Sequence, residues 1–231
     1  MNKRNVTWLA CVLTCGLIVS TSSQAALLGL DALSSNPDLF SPSLTVSVAY
    51  SPSNGLFTAT GKTSAYTPAN TNLNNGDPYL VGNSNDNFNP GTFSLTATIT
   101  TNGTFLGGTV TITGGVYDDS LAQIEPDGTL LLQGNVTAFG FQGNGSPNPD
   151  EFDFLVAVTG GAFAGAYGSS AGVLLHPGDT TFNNNFNVNF TNNGLGTADT
   201  RAVPEPTSGL LVMVSVFGLC WFGRRAPQRK C

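Results

Sequence analysis

The stretch "GTFSLTATITTNGTFLGGTVTIT", Gly91 to Thr113, contains two alternating runs joined by a turn. In the first, Phe93, Leu95, Ala97 and Ile99 fall at every second position, with Ser94, Thr96 and Thr98 between them. Period two puts the apolar side chains on one face of a strand and the hydroxyls on the other. Asn102-Gly103 suits a type I′ turn, whose central residues take positive φ. The chain is therefore expected to double back into "TFLGGTVTIT" as a hairpin.

The same grammar recurs on both sides of this stretch. "SLTVSVAY" sets Leu44, Val46, Val48 and Tyr50 against Thr45, Ser47 and Ala49, and "SPSNG" (Ser51 to Gly55) turns it into "LFTAT". Further strands are expected in "TLLLQGNVTAFGF" with a bulge at Gly134, in "EFDFLVAVT", in "AGVLL" and in "FNVNF". No run of ten residues in this region carries a helical stripe. Short strands with turn signals between them predict an all-β domain of β-sandwich or jelly-roll type over residues 26–190. Thirteen of the fifteen phenylalanines lie in the middle of the chain, so Phe is expected to serve as the large core residue in place of Trp. Thr67 to Gly91, rich in Asn, Gly and Pro, reads as a long surface loop, and residues 191–202 read as a linker.

Charge divides the 231-residue chain more sharply than its net −6 implies. Between Ala26 and Thr200 the only basic residue is Lys62, against thirteen acids, a net of −12. Such a surface repels phosphate and excludes nucleic acid as a partner. The remaining basic residues sit near the ends. Lys3 and Arg4 precede the apolar "WLACVLTCGLIVS" (Trp8 to Ser20), and "SQA" (Ser23 to Ala25) places small residues before a cut between Ala25 and Ala26. Residues 1–25 are thus read as a secretory signal peptide. At the other end, residues 203–231 run from "VPEP" through an uncharged apolar stretch, Ser208 to Phe222, into Arg224, Arg225, Arg229 and Lys230. Those 15 residues would span ~23 Å as a helix, shorter than a bilayer core. Pro204 and Pro206 bar a helix from running in from the preceding domain, and the basic tail fits the cytoplasmic side of a membrane. Residues 208–222 are accordingly expected to form a single transmembrane helix with a stop-transfer tail.

Pro204-Glu205-Pro206, the apolar stretch and Gly223-Arg224-Arg225, in that order and position, resemble the PEP-CTERM sorting signal of exopolysaccharide-producing bacteria. The likeness covers about 30 residues, and the tail Ala226 to Cys231 extends past the family's usual end. It implies recognition of Pro204, Glu205 and Pro206 by an exosortase, a membrane-embedded transpeptidase-like protease. It further implies transient anchoring by the apolar helix, then transfer to the cell surface or extracellular matrix. The expected function is structural or adhesive in an exopolysaccharide matrix, not enzymatic. The alternatives are a carbohydrate-binding surface module and, third, a secreted polysaccharide-active hydrolase.

Residue chemistry in the middle is sparse. Cys11, Cys15, Cys220 and Cys231 all lie in the two end segments, which leaves no thiol for a disulfide or a metal site in the domain. "GSSAG" (Gly168 to Gly172) formally matches a nucleophile elbow at Ser170, but its Gly/Ala surroundings read as a turn. The lone His176 reads as a surface turn residue. The acids cluster as Asp118-Asp119, Glu125 with Asp127, and Asp150-Glu151 with Asp153. Solvated turns are the first reading of these clusters; a structural calcium or a glycosidase carboxylate pair are the others. No metal and no other cofactor is assigned. For sugar stacking only Tyr50, Tyr66, Tyr79, Tyr117 and Tyr167 offer a flat ring with a polar tip, Tyr66 and Tyr79 being nearest the Asn-rich loop.

Overall fold

A computed structural model describes residues 26–30, 36–41, 46–68, 78–83, 89–118, 120–143, 150–192 and 196–203. The expected signal peptide, the Pro204-Glu205-Pro206 motif, the 208–222 segment and the basic tail lie outside the described residues. Among the described residues no helix is long and apolar enough to cross a membrane.

The elements follow in chain order. They are β1 (Asp38–Phe40), β2 (Ser47–Ser51), β3 (Leu56–Thr63), β4 (Ala65–Thr67), β5 (Tyr79–Asn83), β6 (Asn89–Ile99), β7 (Phe105–Tyr117), β8 (Gln123–Gln142) and β9 (Glu151–Gly160). A four-residue helix, α1 (Ala164–Tyr167), precedes β10 (Ser170–Pro177), β11 (Phe190–Thr191) and β12 (Gly196–Ala202). The molecule is thus all-β, as the alternation predicts.

All pairings are antiparallel, and the strands join in one 12-stranded sheet running β11-β2-β3-β6-β5-β7-β8-β9-β10-β12, with β6 also paired to β7. The sheet curls into a half-barrel. Ring contacts show how tightly. Phe57 on β3 and Phe152 and Phe154 on β9 are separated within the sheet by β6, β7 and β8. Yet their ring centroids lie 5.3 and 5.4 Å apart. Phe139, Phe141, Phe182, Phe186 and Phe190 complete this aromatic core. Phe182 and Phe186 come from the irregular segment after β10, which caps one end of the curl at 5.0 Å from Phe141 and 5.1 Å from Tyr50.

β1 ties the β12 end of the pairing path back to its interior, where β4 joins β5. It pairs with β4 on one side. On the other, Ser41 N–H donates to Ala198 O of β12 (3.1 Å) and Leu39 N–H donates to the Thr200 hydroxyl (2.8 Å).

The β6–β7 hairpin forms in the expected register, with Phe93, Leu95, Ala97 and Ile99 buried and the residues between them exposed. Its turn differs in type. Only Gly103 has positive φ (80°), the Thr100 carbonyl accepts from Gly103 N–H (2.9 Å), and Thr100 N–H donates to Thr104 O (2.8 Å). This is a three-residue loop ending in a left-handed glycine. The Thr100 hydroxyl, which bonds Asn102 Oδ1 and accepts from Thr104 N–H (3.1 Å), supports the longer loop. The β2–β3 hairpin across Ser51 to Gly55 and the irregularity at Gly134 also form as expected.

Three segments depart from expectation. "FNVNF" enters a strand only at its last residue, Phe190 of β11: Phe186 and Phe190 are buried four residues apart while Val188 is exposed, because Asn185 Oδ1 accepts from Asn187 N–H (2.9 Å) and turns the chain. Residues 196–202 of the expected linker are strand β12, paired with β10 along its full length from Ala171↔Ala202 to Pro177↔Gly196. The expected loop between Thr67 and Gly91 contains β5, paired with β4, β6 and β7.

Candidate functional site

The chemistry-bearing side chains gather in three places, and in each the sheet explains the grouping. The first is the outer face of β8, β9 and β10, where Asp153 is fully buried beneath a strap formed by Ala26 to Leu30. Phe152 and Phe154 point into the aromatic core, so Asp153 between them points out. Leu28 N–H donates to its Oδ2 (3.0 Å), and Leu30 N–H also bonds it. Two glycines make room. A Cβ on Gly140 would sit 2.7 Å from Ala26 O and 2.9 Å from Leu28 N, and one on Gly172 would sit 3.1 Å from Leu30 Cδ1. Burial, then the neighbouring Glu151 charge, raises the Asp153 carboxyl above its ordinary value. His176 Nε2 stands 3.7 Å from Glu151 Oε1 at the rim of this site.

The Asp150-Glu151-Asp153 cluster is therefore no solvated turn. Asp150 is buried and accepts from the Thr180 hydroxyl, and Asp153 anchors the strap. Because the strap covers Asp153, a glycan has no approach to that carboxylate. His176 sits in β10 and not in a surface turn. Ser170 opens the same strand, six residues away, or roughly 20 Å at ~3.3 Å per residue. Ser170 and His176 are thus too far apart for a nucleophile–base pair. Among the described residues no three His, Cys, Asp or Glu side chains converge to hold a metal ion.

The second grouping lies between β1 and β12. Asp38 hydrogen-bonds Asp199, and Arg201 donates from Nη2 (2.9 Å) and Nε (3.2 Å) to Asp199 Oδ2. Thr200 N–H donates to Asp38 Oδ1 (3.2 Å). The Asp38 carboxyl is pushed up to about 9, first by burial and then by the hydrogen bond and charge of Asp199. Burial and Asp199 thus favour the protonated form of Asp38, while Arg201 pairs with Asp199. Tyr167 reaches the same place from α1, its hydroxyl 2.5 Å from that of Thr200, and burial raises its own ionisation well above the ordinary value. These side chains latch β1 onto β12, and sequence inspection missed them because Asp38 and Asp199 are far apart in the chain.

No family model, curated protein or solved structure matches this chain.

The tyrosines form the third grouping, and they correct an expectation. Tyr50, Tyr66, Tyr117 and Tyr167 are buried. Tyr66 stacks face to face on Phe163, with centroids 3.9 Å apart and planes 6° apart, so the ring proposed for sugar stacking is already covered. Tyr79, 6.2 Å from Tyr66, is half-buried. Tyr117 donates to Asp127 and accepts from Gln123 Nε2 (2.9 Å), which brings the acid of "EPDG" into a network at the β7–β8 end. Asp118 caps the adjacent turn, accepting from the Ser120 hydroxyl (2.7 Å) and from Ala122 N–H (2.8 Å). These bonds hold its carboxyl below the ordinary value, the Ser120 hydroxyl first.

Proposed function

We propose that this chain is an exported surface or matrix protein: a sandwich-like β domain delivered by the signal peptide of residues 1–25 and sorted through Pro204, Glu205 and Pro206. An exosortase recognises that motif while the 208–222 helix and the basic tail Arg224, Arg225, Arg229 and Lys230 hold the substrate in the membrane. Released from it, the domain serves as a non-enzymatic structural or adhesive component among exopolysaccharides. The observation that carries the reading is the order of features at the end of the chain, proline-bracketed glutamate, uncharged apolar run and arginines, in a protein that begins with a basic, apolar, small-residue leader.

Two features of the fold support it. Val203 N–H donates to Ser170 O (3.2 Å), so the domain holds the residue just before Pro204. Ala26 to Leu30, just after the expected leader cut, pack over Asp153 as the strap. Chain next to each expected processing point is thus held by the domain. Its buried acids serve as latches, which favours the structural role over the hydrolase.

Replacing Pro204, Glu205 and Pro206 together by alanine in the host is expected to shift the protein from the surface fraction to the membrane fraction, read by fractionation and immunoblot. Unchanged surface delivery of the triple variant would remove the sorting role of the motif.

A further inference from the structure

The outer face of the central strands carries an ordered field of uncharged hydroxyls and amides. Strand register sets it in rows. Thr60, Ser94, Thr111 and Gln133 lie side by side on β3, β6, β7 and β8, and Thr58, Thr96, Thr109 and Asn135 form the next row. A third row has Lys62, Thr92 and Thr113. All of these side chains are exposed or half-exposed, while Ala59, Leu95, Val110 and Leu132, at alternate positions, are fully buried on the core side. Strands about 4.8 Å apart and same-face residues about 6.8 Å apart along each strand make this a two-dimensional lattice. Cross-strand bonds hold its members in place, Thr92 to Thr113 at 2.7 Å and Thr96 to Thr109 at 3.1 Å. Each such pair uses one hydroxyl hydrogen and leaves the second hydrogen and several lone pairs for a ligand.

Charge and composition narrow the ligand class. In a middle region of net −12, these rows contain no acid and one base, Lys62 at a corner. A phosphate polymer needs many cations to bind. A protein interface draws its core from aromatics, Met and Arg, and the rows contain none of these. What remains complementary is a polymer that is itself uncharged and rich in hydroxyls. We propose that this face binds a neutral polysaccharide, laid along the strands so that successive sugars meet successive rows. Each hydrogen bond is weak against competing water, but several in fixed register act together. The inference rests on the surface-matrix reading for the presence of such a polymer, and it moves the glycan contact from the tyrosines to the threonine rows.

The test uses the processed protein recovered from its host's surface, or the full chain where none is recovered, incubated with insoluble neutral polysaccharides (cellulose, a mixed-linkage glucan and a mannan) and with an acidic uronate polymer. Depletion from solution by at least one neutral polymer, and not by the uronate, is expected. Thr96→Val with Thr111→Val keeps the methyl groups and removes two central hydroxyls, and should weaken that binding at least tenfold with an unchanged melting curve. Thr96→Glu serves as a second variant on the same face, with the same expected loss. Binding to no neutral polymer, preference for the uronate, or full retention by both variants would overturn the inference, as would wild-type self-association that the same substitutions abolish. Fractionation separates this from the sorting reading. Glycan binding by a protein never delivered to the surface would sink only the latter, and surface delivery without glycan binding only the former.

Discussion

Phe57→Ala is expected to destabilise the domain by about 3–5 kcal/mol, the cost of emptying a fully packed aromatic site. Phe57 is fully buried. Its ring lies 5.3 Å from Phe152, 5.4 Å from Phe154 and 6.3 Å from both Phe139 and Phe190. Those partners come from β8, β9 and β11, so this one side chain joins the β3 side of the curl to the β9 side. For a domain of this size each kcal/mol moves Tm by ~2–4 °C, giving a fall of roughly 6–20 °C. Leu106→Ala, at a position 65% exposed, is the control and should change little. Calorimetry or thermal circular dichroism on both variants decides the matter. A loss at Phe57 no larger than at Leu106 would mean that β3 and β9 do not meet across the core.

The second large effect is on pH dependence. The Asp38 carboxyl has an ordinary value of 3.8 and is pushed up to about 9 by burial and by Asp199. The folded protein therefore holds a proton that the unfolded chain releases above pH ~4. The stability contributed by this group is complete below 3.8 and is lost progressively as pH rises toward about 9. Each unit of difference corresponds to about 1.4 kcal/mol, so the change across the window is on the order of several kcal/mol. Tm should fall steadily from pH 5 to pH 9. Asp38→Asn keeps a neutral hydrogen-bonding group beside Asp199 and removes the titration. It should flatten the profile and make the variant the more stable form at pH 9. Asp153, raised in the same direction by burial and Glu151, leaves a residual slope of the same sign. Parallel profiles for the wild type and Asp38→Asn would show that the β1–β12 latch does not carry the proton.

Strands whose apolar residues alternate over their whole length were legible in the sequence, because that pattern and the strand period are the same physical fact. β6 is the clearest case. β12 was not legible: "GTADTRA" has little intrinsic strand preference, and it becomes a strand by pairing with β10 and by the Arg201–Asp199 bond at its centre. "FNVNF" failed in the opposite direction, its alternation overridden by the local Asn185–Asn187 turn. The strap left only an indirect signal, glycines in strand-like surroundings at 140 and 172, which mark a close backbone approach. The Asp38–Asp199 latch left none, since nothing local links residues brought together by sheet curvature. Tyr66 was misjudged because proximity to a polar loop does not reveal which ring covers it; Phe163 does.

The most direct measurement on the account as a whole is the intact mass, with terminal peptide mapping, of the protein recovered from its host's surface fraction. The expected product begins at Ala26, after the small residues Ser23 to Ala25, and ends between Val203 and Pro206, at the Pro204-Glu205-Pro206 motif. A surface product still carrying Trp221, Arg224 and Arg225 would contradict it, making the tail a permanent anchor and Pro204-Glu205-Pro206 an ordinary break before a helix.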